Sequence, residues 1–593
     1  MTSVLRRVST ASRAVVVGLV VLPVGLAALF IAVYSVDVPY HDQWKTAQLF
    51  VRLADGSLSF TDLFDQHNEF RQLFPHLLFL ALGTATRWKV RYEMLVSLLL
   101  ACVVSINLYR ISLVAIHGTQ KRLWLLVGAN LLIFSPVQFE TWLWGTQVVY
   151  LAPIACLTTC LSVAYSRLNP SAKLAIGALG SIVATFSSAN GVLCWVLVLP
   201  VLLVVCDWRR SSVPILIAGW SALCLLSVSF YLYGYRKPAW HPSLTEFLRH
   251  PVRALSYLAA FLGAPLAPGS GVWRLAAAVV VGTVASILFA GASAYFWTHF
   301  RDRALRKRMI AFLAVGAYSV GTALMVMPAR LGLGVVQALA SRYTTFSLYL
   351  LVSLIYLVPI VLEHRRASGA LPRRARAAPL TSAAVGVLLA VHALTATYGV
   401  LHARAWRFHV LYFKACLLFV NVLRSPAPAT FLHPSQGDLT ALANELNRLG
   451  YLRPSLIDGR SVEEIASSVP DAQSAGAFEG LSRMPDGRFL AYGWAVLPEA
   501  REPAHAVLLT HRNGPRGASV FAIAATARVP DDMIRALPPR ALDRTRWYHV
   551  FTAADIPPSA TNVDAWAFDA EAGKAFKLVG AHTVPGPPAR VAP

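Results

Sequence analysis

Asp37-Val-Pro-Tyr-His-Asp42-Gln-Trp44 closely follows an apolar segment, residues 15–34, that is long enough to cross a bilayer as a helix. Three arginines among the first 13 residues precede this segment. Loops rich in Lys and Arg tend to stay on the cytoplasmic side of a membrane. The pattern therefore predicts a cytoplasmic N-terminus and places Asp42 on the outer face, close to the lipid surface.

The composition indicates that most of the chain lies in lipid. Of its 593 residues, 56% are hydrophobic, and the mean hydropathy is +0.55. Much of the net charge of +24 falls in short loops between apolar segments, where it would face anionic lipid. We therefore expect membrane lipids as partners and no nucleic acid. The seven cysteines have neither metal-site spacing nor a disulfide pattern, and no metal ion is predicted.

The apolar segments predict a polytopic α-helical protein with about eleven transmembrane helices. Two further segments, 73–86 and 252–266, are shorter and are broken by Pro, Gly or charge. The basic loops fall on one side of the membrane only if both of these stay outside the bilayer core, as half-buried helices at the outer surface. The segments predicted to cross are 15–34, 91–114, 123–135, 148–165, 174–187, 191–206, 212–233, 275–298, 309–327, 343–362 and 378–399.

The chain divides into three predicted parts. Residues 1–400 form a transmembrane domain, in which residues 35–90 are a large first outer loop with a juxtamembrane helix. Residues 401–474 form an interfacial and helical linker, with a helix at 438–449. Residues 475–593 contain short alternating runs separated by turn residues, which predict a small antiparallel β-sandwich. We expect a bacterial inner membrane protein with this last domain in the periplasm.

Side chains that could carry chemistry are concentrated in the predicted outer loops, and each also has a structural interpretation. Asp42 could be a helix cap, a common use of Asp. Arginines at helix ends commonly anchor to lipid headgroups, and a glutamate between aromatic residues could simply be solvated. These alternatives stay open. The candidates are His41, Asp42, His67, Glu69, Arg71, Glu140, Arg330, Arg342 and Tyr343.

An acidic residue in the first outer loop, followed by an interfacial helix, resembles the GT-C class of membrane glycosyltransferases. This class includes the protein O-mannosyltransferases and the aminoarabinose transferases of lipid A. The resemblance covers the topology of residues 1–400. Members usually have an acidic pair after the first span, where this chain has His41-Asp42. Arg342-Tyr343, at the start of a late span, resembles an Arg-Tyr pair of some members.

The resemblance implies inverting transfer of a sugar from a polyprenyl-phosphate donor to an envelope glycan or glycolipid on the outer face. On this hypothesis Asp42 is the base that accepts the proton of the acceptor hydroxyl, and His41 could share this role. Arg330, Arg342 and Arg71 would stabilise the leaving phosphate in place of a metal ion. No cofactor is then expected besides the lipid-linked sugar.

The remaining candidates would contact the substrates. Glu69 and Glu140 could bind sugar hydroxyls or orient the acceptor, and His67 could take part in proton transfer.

Other functions stay open. A ligase or polymerase acting on lipid-linked oligosaccharides meets the same phosphate chemistry. A transporter or flippase would favour ionisable residues at mid-membrane and related halves, whereas the charges here are concentrated in outer loops. A non-catalytic envelope scaffold is a further alternative.

Overall fold

The computed structural model divides the chain into two compact units. It describes residues 2–239, 241–369, 378–423, 439–467, 475–512, 517–526, 545–556, 560 and 562–584. The first unit consists of Met1–Ser35, Leu58–Leu82 and Arg91–Arg404, and the second of Val36–Ser57, Gly83–Val90 and Ala405–Pro593. The segment predicted as one outer loop, residues 35–90, is therefore shared between the two units.

Helices make up most of the described chain. Long apolar helices form most of the first unit, whereas the second unit combines helices with a sheet. In chain order they are α1 (Thr2–Tyr34), α2 (Gln43–Ala54), α3 (Phe60–Phe64), α4 (Leu73–Thr86), α5 (Arg91–Ala115), α6 (Thr119–Ile133), α7 (Phe139–Leu143), α8 (Val148–Ala164), α9 (Pro170–Thr185), α10 (Leu193–Val205), α11 (Val213–Leu232), α12 (Glu246–Arg249), α13 (Pro251–Gly263), α14 (Gly271–Thr298), α15 (Arg303–Arg330), α16 (Ser341–Ala367), α17 (Ala378–Leu418) and α18 (Leu439–Arg448).

Nine helical segments in the described part of the chain are long and apolar enough to cross a membrane, as expected of a polytopic membrane protein. Two predicted spans, 174–187 and 191–206, fall on shorter helices, Pro170–Thr185 and Ala189–Val205. Sixteen helical residues extend only about 24 Å, less than the hydrocarbon thickness of about 30 Å. The nine segments are Arg13–Tyr34, Arg91–Ala115, Thr119–Leu143, Gly145–Ala164, Val213–Leu232, Gly271–Thr298, Arg303–Leu333, Ser341–Ala367 and Val385–Leu418.

Helix α16 shows how the polar groups are separated along a span. Arg342 lies at its start and Glu363 near its end, where Glu363 accepts hydrogen bonds from Lys121 and Arg308. At 1.5 Å per residue, the Cα atoms of Arg342 and Glu363 are about 32 Å apart, close to the thickness of the hydrocarbon layer. Charged side chains therefore cluster at the two ends of this span.

The second unit contains a seven-stranded sheet in place of the predicted sandwich. The short strands are confirmed, but they form one sheet of order β6-β5-β8-β9-β3-β4-β7, with parallel pairing only between β3 and β9 among the described strands. One core buries residues from all seven strands, so the sheet curves around a single core. The strands are β3 (Gly476–Arg483), β4 (Phe489–Ala495), β5 (Ala506–Arg512), β6 (Ala518–Ala524), β7 (Arg546–Phe551), β8 (Asn562–Asp569) and β9 (Lys574–Thr583).

The predicted linker is mostly helical where it is described. The span predicted at 378–399 and the surface helix predicted from 401 form one continuous helix, α17. Its C-terminal end packs against the face of the sheet opposite the seven-stranded core, where the Phe419 and Phe568 rings are 5.3 Å apart. The helix predicted at 438–449 is α18, and Gly450 ends it with a φ of 74°.

Candidate functional site

A short hairpin in the first unit positions Glu69. Strands β1 (Gln66–His67) and β2 (Phe70–Arg71) are antiparallel, and the two residues between them form the turn. Asn68 has a φ of 51°, which asparagine tolerates better than most residues. Glu69 therefore lies at the tip of the hairpin.

Arg71 anchors this hairpin by contacts with main-chain oxygens. Its guanidinium donates to the carbonyls of Phe64 at 2.9 Å, Tyr231 at 2.8 Å and Tyr233, and it lies 4.7 Å from the centre of the Phe64 ring. The N–H groups of the Arg71 guanidinium are thus already bound to three backbone carbonyl oxygens. The geometry thus favours a structural role for Arg71 over the predicted phosphate contact. The predicted proton-transfer residue His67 is buried in β1.

Three predicted site residues meet at the hairpin tip. Arg330, at the end of α15, donates from Nη2 to Oε1 of Glu69 at 2.5 Å and from Nε to the Tyr343 hydroxyl at 3.2 Å. A fourth residue, His241, was not predicted. Its Nε2 lies 2.8 Å from Nη1 of Arg330 and 3.3 Å from Oε2 of Glu69. The cluster therefore joins residues from α15, α16, the hairpin and the segment after α11.

The electrostatics of the cluster favour an ionised Glu69. Burial alone would raise the pKa of its carboxyl group, but the hydrogen bond with His241 and the charge of Arg330 together hold that pKa below its usual value. The Arg330 side chain is only 10% exposed and that of Glu69 21%. The carboxylate and the guanidinium thus form a largely buried ion pair whose charges cancel.

Glu69, Arg330 and Tyr343, three of the four members of this cluster, line a cavity of about 320 Å³. Binding sites for small molecules are typically of this size, mostly apolar, and carry a few polar groups. At its rim, Leu232 is 54% exposed and Met325 38% exposed, and both lie on membrane-spanning segments. The lining consists of Glu69, Phe70, Tyr150, Ser188, Ala189, Asn190, Tyr231, Leu232, Tyr235, Thr322, Met325, Val326, Ala329, Arg330, Tyr343 and Phe346.

Asn190 contributes a further polar group to this lining. Its Nδ2 donates to the Tyr318 hydroxyl at 2.8 Å and to Oγ1 of Thr322 at 3.2 Å. Its Oδ1 is buried and has no hydrogen-bond partner among the residues that the structure describes. Gly191 lets this turn pack closely, because a Cβ there would lie 1.9 Å from the Ala184 oxygen. An acceptor with unused capacity therefore lines the cavity.

Arg342 and Glu140, also predicted, pair with each other at the start of α16. The Arg342 guanidinium and backbone N–H donate to the two Glu140 oxygens, both at 2.9 Å. A carboxylate at this position stabilises the first turn of a helix. Both residues lie outside the described lining of the cavity. Arg342 contacts the site indirectly, because its guanidinium lies 5.3 Å from the centre of the Tyr343 ring.

An apolar groove of about 490 Å³ is a second concave feature of the first unit. Residues from α4, α5, α8 and α9 line it, including Cys156 and Cys160. On α8 its lining extends from Val148 to Cys160, about 18 Å of helix. No charged side chain occurs in its described lining.

Asp42 and His41 lie in the second unit. Asp42 is exposed at the N-terminus of α2, and its side chain makes no capping hydrogen bond to the described residues. His41 has a φ of 46°, an uncommon conformation that often marks a functional segment. The nearby carboxylate of Asp37 accepts a hydrogen bond from the Val90 N–H at 2.8 Å. The structure thus gives Asp37 a structural contact.

The described residues contain no group of three or more His, Cys, Asp or Glu that could hold a metal ion. No protein-family model, curated protein or solved structure matches this chain.

Proposed function

We propose that this protein is an inverting glycosyltransferase that uses a polyprenyl-phosphate sugar as donor. The observation that carries the proposal is a buried guanidinium, that of Arg330, in an aromatic cavity whose rim is exposed on membrane-spanning segments. An apolar rim with a polar inner wall suits a ligand with a lipid tail and an anionic head. Arginine is well suited to hold a phosphate because its donors form a planar fork.

The charge of the cavity favours a monophosphate-linked donor. Arg330 is the one Lys or Arg among the described lining residues, and Glu69 already neutralises it. A phosphodiester carries one negative charge, whereas a diphosphate linkage carries more and would call for additional cations. This reasoning favours a transferase over a ligase or polymerase that acts on diphosphate-linked oligosaccharides.

The remaining lining suits a sugar. Tyr150, Tyr231 and Tyr235 present both aromatic surface and hydroxyl groups. Oδ1 of Asn190 and the carboxylate of Glu69 accept hydrogen bonds, which sugar hydroxyls can donate. The donor would therefore be held by its phosphate at Arg330 and by its sugar along the tyrosines.

In the proposed reaction, the acceptor hydroxyl oxygen forms a bond to the anomeric carbon as the bond from that carbon to the phosphate oxygen breaks. The phosphate leaves with the electron pair, stabilised by Arg330, and a carboxylate takes the proton. A single displacement inverts the anomeric centre. Glu69 is a weak candidate for the base because His241 and Arg330 already engage it. Asp42 remains our candidate on the strength of the sequence alone.

We further propose a bacterial inner membrane protein with a cytoplasmic N-terminus and a periplasmic C-terminal domain. About eleven crossings require α9 and the segment Ala189–Val205 to cross in addition to the nine long segments. The acceptor would be an envelope glycan or a glycolipid. The C-terminal sheet would serve to present ligands or to support the structure.

The direct test is a donor assay. Purified protein in detergent micelles is incubated with radiolabelled polyprenyl-phosphate sugars and envelope extract, and release of the lipid phosphate is measured together with transfer of label. Transfer coupled to release supports the proposal. The same protein is also reconstituted in proteoliposomes. Movement of intact donor across their membrane without release of the lipid phosphate would favour the flippase alternative and contradict the proposed transferase.

A further inference from the structure

One nitrogen atom, Nε2 of His241, faces two groups that require opposite hydrogen-bond roles. Nη1 of Arg330, at 2.8 Å, can only donate. Oε2 of Glu69, at 3.3 Å, can only accept when ionised. Nε2 can therefore satisfy one neighbour at a time, and which one depends on whether it carries a proton.

The two protonation states give the cluster different charges. With neutral His241 and an Nε2 lone pair, the imidazole accepts from Arg330, and the charges of Glu69 and Arg330 sum to zero. With a proton on Nε2, the imidazolium donates to Glu69 and repels Arg330, and the cluster carries one positive charge. A single proton thus converts a neutral site into a cationic one and releases an Arg330 donor.

We propose that binding of a phosphate head group at Arg330 is coupled to uptake of one proton by His241. An anion beside His241 favours the imidazolium, because an opposite charge stabilises a charged form. The imidazolium then pairs with Glu69, and the guanidinium turns to the phosphate. This inference rests on the phosphate site of the proposed function and adds His241 as a positioning residue.

The groups that face His241 come from the hairpin, from its own segment and from α15 and α16. From the hairpin, Glu69 has a lowered pKa and stays ionised. From its own segment, burial raises the pKa of Tyr235, which stays neutral, and Lys237 donates to the Pro242 oxygen at 2.6 Å. From α15 and α16 come Arg330 and, behind it, Tyr343. Imidazole is the side chain that ordinarily titrates between pH 5 and 8.

The test measures proton uptake directly. Dihexyl phosphate, a phosphodiester whose charge is constant between pH 5.5 and 8.5, is titrated into the full-length protein in a calorimeter. Each titration is repeated in two buffers of different ionisation enthalpy, which gives the number of protons taken up. We expect uptake approaching one proton for the wild-type protein, with affinity rising by up to about tenfold for each unit decrease in pH.

Two variants separate proton coupling from structural damage. The amide of His241→Gln can accept from Arg330 and donate to Glu69 but cannot gain a proton. We expect it to bind dihexyl phosphate without proton uptake. His250→Gln is the matched control, because His250 also pairs with a carboxylate, that of Glu246 at 3.2 Å, outside the cavity. It should retain the wild-type uptake.

The outcomes are distinguishable. Binding without proton uptake by the wild-type protein, or with equal uptake by His241→Gln, overturns the coupling and leaves the phosphate site intact. If His241→Gln does not fold, absence of proton uptake by the wild-type protein would still overturn the coupling. Absence of dihexyl phosphate binding by the wild-type protein across this pH range overturns the phosphate site itself, and the coupling with it.

Discussion

Arg330 and Glu69, 261 residues apart in the chain, form a hydrogen bond of 2.5 Å between Nη2 and Oε1. This pair fastens the hairpin to the end of α15 and forms a wall of the cavity. An anionic ligand would disturb this pair, because a phosphate that binds Arg330 competes directly with the Glu69 carboxylate for the guanidinium. The pair therefore links the folding of the first unit to its proposed chemistry.

Replacement of Arg330 alone should be more damaging than replacement of the whole pair. Arg330→Met leaves a mostly buried Glu69 carboxylate without its cation, which we expect to cost roughly 3–5 kcal/mol in the free energy of unfolding. Glu69→Gln combined with Arg330→Met removes the uncompensated charge and should recover part of this loss. Thermal unfolding in detergent micelles measures both variants. The exposed Arg303–Asp207 pair supplies the control, Arg303→Met, which should have little effect. A double variant less stable than Arg330→Met would show that the unpaired Glu69 carboxylate is not the cause of the loss.

Asp42→Asn should remove the proposed base and leave the fold intact. We expect turnover with a polyprenyl-phosphate sugar to fall by roughly 10²–10⁴-fold, the usual contribution of a positioned base. Asp55→Asn, an exposed aspartate at the other end of α2, should retain activity. If Asp42→Asn keeps its turnover while Glu69→Gln loses it, the base lies in the cavity wall and Asp42 leaves the mechanism.

Filling the cavity should weaken donor binding. Ala329 lines the cavity, and Ala329→Phe places a ring in the volume proposed for the donor. We expect the apparent affinity for the donor to fall by at least about tenfold, equivalent to ~1.4 kcal/mol. Leu324→Phe, on the same helix but 51% exposed and outside the described lining, should bind normally. Equal affinities of the two variants would show that the donor binds elsewhere.

Protonated His505 should stabilise the second unit, and this contribution should be lost as pH rises above 6.5. Burial would lower the pKa of this side chain, but hydrogen bonds to Asp569 and Glu502 raise it above 6.5. Since the folded state binds the proton more tightly than the unfolded state, the stabilisation is complete below pH 6.5. It disappears as pH rises through the folded-state pKa. The slowing of hydrogen exchange in β5 and β8 of the wild-type protein relative to His505→Gln, after correction for intrinsic rates, should therefore be larger at pH 6 than at pH 8. His250→Gln should exchange like the wild-type protein at both pH values.

The sequence predicts most of the long apolar helices and selects Glu69 and Arg330 as candidate residues. Long apolar runs identify the spans because burial in lipid requires continuous apolar helices, and the charged residues between the spans include Glu69 and Arg330. The contact between those two residues is not predictable from the local sequence pattern, because it depends on how the hairpin and the helices pack together. His241 and Tyr150 were missed for a related reason. Polar and aromatic residues near the ends of spans are common at membrane interfaces and carry no distinguishing sequence pattern.

The C-terminal region shows the same limit. Alternation of apolar and polar residues predicts the strands, because one face of each is buried. It does not predict their order, and the parallel contact between β3 and β9 joins residues about 100 apart, such as Ala477 and Val579. The prediction ends a span at residue 399 and begins a separate linker at residue 401, whereas the structure has the single helix α17. The reason is that Arg and Lys residues after position 401 are typical of a segment at the membrane interface.

The chain passes between the two units after residues 35, 57, 82, 90 and 404, so the second unit is assembled from three separate segments. Phe50, from α2, packs against Trp88 at 4.8 Å and Tyr451 at 4.9 Å between ring centres. A truncation at residue 404 would remove Tyr451 and leave α2 with an exposed apolar face prone to aggregation. Conversely, recombinant production of the carboxyl-terminal region by itself would lack α2 and Trp88. An isolated second unit would therefore need residues 36–57 and 83–90 joined to the region from residue 405.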